Sequence, residues 1–236
     1  MAQAVFVPKE SDPIETRVAA SPDTVKKMAG LGLTVIVEKG AGHSSRITDD
    51  AYAAAGAKIG SASDAKSADV VLKVRRPNAA EIKSYKKGAA IIAAMDPYGQ
   101  NDAVKAMADA GLSAFAMEFM PRITRAQVMD ILSSQANLAG YQAVIDASAE
   151  YDRAMPMMMT AAGTVAAAKV FVMGAGVAGL QAIATARRLG AVVTATDVRP
   201  AAKEQVASLG AKFIAVEDEE FKAAETAGGY AKEMSK

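Results

Sequence analysis

The fold is decided by one stretch, which begins Lys169-Val-Phe-Val-Met173, continues Gly174-Ala-Gly176-Val-Ala-Gly179 and ends Gly190-Ala-Val-Val-Thr-Ala-Thr-Asp197. Its first part is short, apolar and rich in β-branched residues, which predicts a buried parallel strand. Apolar residues then recur at helical spacing until Gly190, where the helix is expected to end. A second apolar run closes on an acid. This order predicts a complete βαβ unit.

The three glycines have the GxGxxG spacing of a dinucleotide-binding turn, in which each glycine has a physical role. Gly174 allows the tight turn, Gly176 lets a diphosphate approach the backbone, and Gly179 lets the helix pack closely on the sheet. Val177 and Ala178 begin the helix, whose free N–H groups and partial positive charge favour an anion. We therefore predict a nucleotide site at these five residues, with a purely structural turn as the alternative.

The acid at the end of the second strand indicates which nucleotide is bound. Asp197 lies 18 residues after Gly179, where a carboxylate can accept hydrogen bonds from an adenosine ribose. The same carboxylate would repel a 2′-phosphate, so the site is predicted to favour NAD over NADP. Arg199 weakens that preference without reversing it, and we include it in the predicted cofactor site.

The composition is that of an ordinary globular protein. Of 236 residues, 51% are hydrophobic and 22% charged, and the formal net charge of +1 gives no indication of nucleic-acid binding. The chain has no cysteine and one histidine, His43, so disulfides, thiol catalysis and the usual cysteine or multi-histidine metal sites are not expected. The first residues lack the apolar core of a signal peptide, and no run approaches the ~20 residues that span a bilayer. The sequence predicts a cytoplasmic protein.

Strand and helix patterns alternate through the first 120 residues. Helix starts are predicted at Ser21, at Thr48 and at either Asn78 or Pro77. Five strands are predicted, at residues 4–7, 33–37, 69–74, 89–94 and 113–117. Strands that are joined by helices indicate a parallel doubly wound sheet.

The second half contains a long helix and a shorter α/β segment. Residues 127–153 are predicted to be one helix with an apolar stripe that includes Leu138, Tyr141 and Val144. We predict a first α/β domain at 1–125, a linking helix and hinge at 126–160, and the N-terminal part of a nucleotide-binding domain at 161–236. The second domain is expected to be incomplete, because about six strands are typical and three are predicted. The fold class is α/β, with two doubly wound, Rossmann-like domains joined by a long helix.

Several further stretches carry a family resemblance. They are Pro8 to Glu10 with Glu15 to Val18, Ser21 to Asp23, Lys73 to Pro77, Met117 to Gln135, Pro156 to Gly163 and Thr226 to Met234. Together they resemble the NAD(H)-binding soluble component of proton-translocating NAD(P) transhydrogenase, the first domain of its alpha subunit. The wider family also contains alanine dehydrogenase. The resemblance covers essentially the whole chain.

The resemblance implies a second group of site residues. Arg122, Gln127 and Asp130 match a loop that reaches the nicotinamide ring, with Ser133 supporting it. Hydride transfer needs a ring held at near-attack distance, and guanidinium and amide groups suit that task. The alternative is that Arg122 and Asp130 are charges at a helix start. Tyr230 matches the tip of a loop that closes over the nucleotide, and a disordered tail is its alternative.

The alanine dehydrogenase branch needs a catalytic histidine near the end of the fourth predicted strand. The sequence has Met95-Asp96 there and no histidine nearby, so a general acid and base for amino-acid oxidation is missing. Arg17 and Lys73 match substrate-binding positions of that branch and are expected to be structural charges. His43 is expected to have no chemical role.

The resemblance implies a subunit that passes hydride from NADH to NADP⁺ on an NADP(H)-binding partner component. Proton translocation is then expected in a membrane-spanning component, which would hold this chain peripherally at the inner membrane. A homodimer is also implied. The alternatives are an alanine dehydrogenase-like NAD oxidoreductase and a truncated, non-catalytic nucleotide-binding module.

Overall fold

The computed structural model describes residues 3–121 and 123–217, together with Phe221 and Ala224. The chain divides into two compact units, Met1–Asp130 and Ile131–Lys236. The units are described separately. Among the residues that the model describes, no helix combines the length and the apolar character needed to cross a membrane.

The first unit is built on a parallel sheet with the strand order β3-β2-β1-β4-β5-β6. The direction of winding changes between β1 and β4, which places a topological switch point there. The strands are β1 Ala4–Val7, β2 Thr34–Glu38, β3 Lys58–Gly60, β4 Val70–Arg75, β5 Ala90–Ala94 and β6 Ser113–Ala116. The helices are α1 Pro22–Gly30, α2 Asp49–Ala54, α3 Ala79–Ser84 and α4 Asn101–Asp109.

Apolar cores cover both faces of this sheet because successive strand residues point to opposite sides. Phe6 belongs to a core with Ile91 and Met107. Its neighbour Val7 belongs to a different core, which includes Tyr52 of α2. The fold class of a doubly wound parallel sheet is confirmed.

The predicted helix starts are confirmed by their capping bonds. The Ser21 side chain accepts from the Thr24 N–H, and Pro22 occupies the first turn of α1. Asn78 and Glu81 form a reciprocal capping box at the start of α3. The Thr48 hydroxyl caps α2 in the same way as Ser21 caps α1.

The second unit has a parallel sheet with the order β11-β10-β9 and a separate hairpin, β7-β8. Its elements are α5 Ile131–Glu150, β7 Met158–Thr160, β8 Gly163–Val165, β9 Lys169–Met173, α6 Val177–Arg188, β10 Val192–Thr196, α7 Ala202–Ser208 and β11 Lys212–Phe213. Ile183 of α6, Val193 of β10 and Val206 of α7 are buried in one core. Val144 of α5 belongs to the same core.

Three sequence predictions are wrong in detail. The first sheet has a further strand, β3, whose three residues were too few and too exposed to give a pattern. The long helix begins at Ile131 rather than Gln127, because Thr124–Met129 winds as a 3-10 helix. The predicted stripe on α5 is wrong for Leu138 and Tyr141, which are exposed, whereas Gly140 and Val144 are buried.

Candidate nucleotide-binding site

The glycine turn joins the carboxyl end of β9 to α6. β9 and β10 pair in parallel from Lys169 opposite Val192 to Met173 opposite Thr196. The Gly174 N–H extends this ladder by donating to the Thr196 carbonyl oxygen at 2.8 Å. Gly174 has φ +91°, a left-handed conformation that glycine adopts without the cost of a Cβ. The predicted role of this glycine therefore has a direct geometric basis.

Gly176 is the residue that precedes α6, and its surroundings are open. Its backbone is extended at φ −74° and ψ −167°, and its position supplies no side-chain cap to the helix start. A Cβ added to Gly176 would meet no described heavy atom within 4 Å. The first N–H groups of a helix have no intrahelical acceptor, so this accessible backbone can receive an anion.

Gly179 is crowded, in contrast to Gly176. A Cβ at this position would lie 2.8 Å from the Gly174 carbonyl carbon and closer still to its oxygen. The first turn of α6 thus rests directly on the backbone of the turn. Only hydrogen fits at residue 179 without displacing the helix.

The first turn of α6 also packs closely against α5. A Cβ on Gly140 would lie 2.8 Å from the carbonyl carbon of Ala178 and nearer to its oxygen. The backbones of α5 and α6 therefore touch where α6 begins. Sequence reasoning missed this contact, although the small residue within an apolar helix was a signal for close approach.

Asp197 ties the end of β10 to the glycine turn. Its Oδ2 accepts from the Ala175 N–H at 2.7 Å. Its Oδ1 accepts from the Arg199 backbone N–H at 2.8 Å and from Nε of the same residue at 2.9 Å. Nη2 of Arg199 lies 3.2 Å from Oδ2 and donates at 3.2 Å to the Ala175 carbonyl.

The protonation state of Asp197 follows from these contacts. Burial of the carboxyl would raise its pKa, but hydrogen bonds from the Arg199 side chain and from the Ala175 and Arg199 N–H groups outweigh burial. The pKa of Asp197 is therefore lowered from its ordinary value, and the group is a carboxylate at neutral pH. An anionic acceptor forms strong hydrogen bonds with hydroxyl donors such as those of a ribose.

These features fit an adenine dinucleotide. The structure brings together Gly174, Gly176, Gly179, Asp197 and Arg199 in one region of the second unit. The open backbone at Gly176 suits a diphosphate, and the carboxylate suits a ribose diol. Val177 and Ala178, also predicted, form the first two positions of α6.

The predicted nicotinamide-contacting residues lie elsewhere in the chain. Gln127 is exposed on the 3-10 helix Thr124–Met129, and its carbonyl accepts from the Asp130 N–H at 3.2 Å. Asp130 closes that helix, and Ser133 lies in the first turn of α5. Arg122 and Tyr230 lie outside the described residues. The roles of these residues stay predictions.

The carboxyl end of β5 is held by charged side chains where an alanine dehydrogenase would need its histidine. Asp96 has φ +42°. The Glu118 carboxylate accepts from the N–H groups of Met95 and Asp96. Arg76 donates to the carbonyls of the same two residues. The described residues therefore place a carboxylate and a guanidinium, and no imidazole, at this strand end.

The two charges that match alanine dehydrogenase positions form ion pairs. Nζ of Lys73 is fully buried, 3.3 Å from Glu10 and 2.8 Å from Glu81. Arg17 lies 2.6 Å from Glu15, the carboxylate of which also binds Arg75 at 2.9 Å. These contacts hold the segment after β1 against β4, as structural charges do.

The fold and the turn define a class, that of α/β proteins with a βαβ nucleotide-binding turn. The chain belongs to the alanine dehydrogenase/PNT family. The model of that family's N-terminal domain matches residues 6–139, and the model of its C-terminal domain matches residues 143–232. The family resemblance seen in the sequence is confirmed.

The relatives point to one branch of the family. The chain is 60% identical to an NAD(P) transhydrogenase subunit alpha protein of Rhodospirillum rubrum, over 98% of this chain and 62% of the relative. The crystal structure of transhydrogenase from Sinorhizobium meliloti has 74% identity and a TM-score of 0.88, over 90% of this chain and 64% of that one. An L-alanine dehydrogenase structure has 25% identity and a TM-score of 0.77, over 89% of this chain and 60% of that one. The chain thus spans less than two thirds of the length of these proteins.

Proposed function

We propose that this chain is the NAD(H)-binding component of a proton-translocating NAD(P) transhydrogenase. In this proposal it passes hydride from NADH to NADP⁺ that is bound on a partner component. A membrane-spanning component couples the transfer to proton translocation and holds the chain peripherally at the inner membrane. The chain acts as a homodimer.

One observation carries the proposal, the high identity to transhydrogenase proteins over nearly the whole chain. The site supports it independently, because the glycine turn and Asp197 suit the diphosphate and adenosine ribose of NAD(H). The identity to the alanine dehydrogenase structure is much lower. The same turn would serve any dehydrogenase, so the choice of branch rests on identity.

Hydride transfer between two nicotinamide rings places a particular demand on the protein. The hydride moves directly from ring to ring, so no general acid or base is needed, and the protein must position the ring and exclude water. We assign the positioning to Arg122, Gln127 and Asp130, with Ser133 supporting. Tyr230 is assigned to a loop that closes over the nucleotide.

The domain organisation follows the same proposal. Residues 161–236 hold the adenosine half of NAD(H), and residues 1–125 form the first α/β domain. The segment 126–160 links them, and it supplies Gln127, Asp130 and Ser133 near its start, whereas Arg122 comes from the end of the first domain.

The test begins with calorimetric titration of the purified chain with NADH and, for comparison, NADPH. Binding of NADH tighter than millimolar, and tighter than that of NADPH, is expected. Binding weaker than millimolar would favour a non-catalytic module. The chain is then mixed with the NADP(H)-binding component of a related transhydrogenase, and NADH-dependent reduction of an NADP⁺ analogue is measured. A rate no higher than that of either component alone would refute the proposal.

Alanine dehydrogenase activity is the second candidate, since the L-alanine dehydrogenase structure shares the fold. The chemistry argues against it because proton transfer needs a general acid and base. His43, the single histidine of the sequence, lies in an exposed short 3-10 helix after β2. An assay of NADH oxidation with pyruvate and ammonia should show no activity above background.

A further inference from the structure

The Asp197 carboxylate already has a full set of hydrogen-bond donors. An ionised carboxyl group offers about four acceptor positions. Two of the donors are backbone N–H groups, those of Ala175 and Arg199. The other two are Nε and Nη2 of the Arg199 guanidinium. A ribose diol that approached this carboxylate would find its acceptor positions filled.

The two kinds of donor differ in how easily they can leave. The Ala175 N–H belongs to the glycine turn, and the Arg199 N–H belongs to the chain directly after β10. Neither can withdraw without opening the backbone. The guanidinium can withdraw by side-chain rotation alone. Its side chain is 25% exposed, whereas that of Asp197 is 7% exposed, so the guanidinium is the more accessible of the two groups and shields the acid from solvent.

We propose that the Arg199 guanidinium occupies the place of the adenosine ribose hydroxyls and is displaced when NAD(H) binds. The inference rests on the proposed function, because it takes an adenosine ribose as the ligand of Asp197. Arg199 is thus a positioning residue. It keeps the carboxylate ionised and aimed at the ribose position, and it competes with the ligand for the same acceptor atoms.

Competition has a measurable consequence for the 2′-hydroxyl. In the wild type, a nucleotide without this hydroxyl allows the guanidinium to return, so the carboxylate keeps its donors. Without the guanidinium, no side chain at residue 199 replaces the missing hydroxyl. The contribution of the 2′-hydroxyl to binding must therefore be smaller in the wild type than in an Arg199 variant.

The experiment is a cycle of two proteins and two ligands. The full chain and its Arg199→Met variant, which keeps an unbranched apolar stem, are titrated with NADH and with the analogue that has 2′-deoxyadenosine. Loss of the hydroxyl should weaken binding to the wild type by less than about 3-fold and to the variant by about 10-fold or more, as expected for one hydrogen bond to a charged group. Arg188→Met, at an exposed arginine near the end of α6, is the matched control and should behave like the wild type.

Equal penalties in the wild type and in Arg199→Met would overturn the inference while leaving NADH binding, and thus the proposed function, intact. Failure of the wild type to bind NADH would instead overturn the proposed function and this inference with it. Circular dichroism checks that the variant is folded. If it is not, Arg199→Lys takes its place, because lysine cannot form the two-pronged contact. A penalty for Arg199→Lys no larger than that of the wild type would then also overturn the inference.

Discussion

Alanine at Gly179 and alanine at Gly176 should have opposite effects, although the two positions are three residues apart in one motif. Gly179→Ala is expected to destabilise the second unit. Gly176→Ala is expected to leave stability nearly unchanged and to weaken nucleotide binding. The pair separates the structural role of the glycine turn from its role in binding.

The magnitude for Gly179→Ala follows from the clash. The new Cβ would stand 2.8 Å from the Gly174 carbonyl carbon, whereas carbon atoms pack at about 3.5–4.0 Å. Because the obstacle is backbone, the helix itself must move, and overpacking of this kind costs about 1–3 kcal/mol. The better helix propensity of alanine offsets about 1 kcal/mol. At the upper end of that cost, which an immovable backbone obstacle favours, the net loss is about 2 kcal/mol and would lower the Tm of a chain of this length by roughly 4–8 °C.

Gly176→Ala should have a smaller effect on stability than Gly179→Ala and a larger effect on NADH binding. Its φ of −74° suits alanine, and the added Cβ meets no described atom within 4 Å. The loss of a preferred residue before the helix costs at most about 1 kcal/mol. The methyl group would stand where the diphosphate must approach, so the Kd for NADH should rise by about 10-fold or more, or ~1.4 kcal/mol.

The assay is thermal unfolding of both variants and of the wild type, with and without NADH. Gly176→Ala should melt within about 3 °C of the wild type and gain little from NADH. Gly179→Ala should melt clearly lower even without ligand. The reasoning fails if the two variants lose the same stability, or if Gly176→Ala binds NADH as tightly as the wild type.

Two further outcomes concern Gly140 and Glu15. Gly140→Ala should destabilise the second unit by up to about 2 kcal/mol after the same helix-propensity offset, because its Cβ would press on the Ala178 backbone; unchanged urea unfolding would contradict this. Glu15→Gln should lower stability at neutral pH and make little difference near pH 2. Hydrogen bonds from Arg17 lower the pKa of Glu15 to about 2 from 4.5, against the opposing effect of burial. A lowered pKa stabilises the fold above pH 4.5, and that contribution is lost as the pH falls through 2. Because the arginine partners are half exposed, solvent screening reduces the effect to about 1–2 kcal/mol. Urea unfolding of the wild type and of Glu15→Gln at both pH values measures it. The same difference in unfolding free energy at neutral pH and at low pH would contradict the prediction.

The sequence predicted the parts of the fold that depend on local chemistry. The βαβ unit was found because its glycines and Asp197 obey a fixed spacing. The caps at Ser21 and Asn78 were found because their side chains bond to the next turn. In each case the interactions that determine the local structure are made by residues close together in the sequence.

The parts that escaped prediction depend on partners far away in the sequence. The pattern of α5 placed Leu138 on an apolar stripe, but the buried side is set by Gly140, which fits against α6 because it has no side chain. A hydrophobic pattern does not reveal such a contact, because glycine contributes no apolar side chain to the pattern. In the same way, spacing identified Asp197 but not its bonds to Ala175 and to the Arg199 side chain.

The bond between Asp197 and the Ala175 N–H bears on any attempt to redesign coenzyme preference. Replacing the acid with a small residue, in order to admit a 2′-phosphate, would also release the backbone of the glycine turn. If the proposed function holds, such a variant would lose affinity for both coenzymes, because the backbone proposed to bind the diphosphate would loosen along with the proposed ribose contact. Asparagine can still accept from Ala175 through its side-chain oxygen, but its NH2 group would then face the two Arg199 donors. A coenzyme switch that begins at Asp197→Asn must therefore also change Arg199, with new positive charge introduced from a neighbouring position.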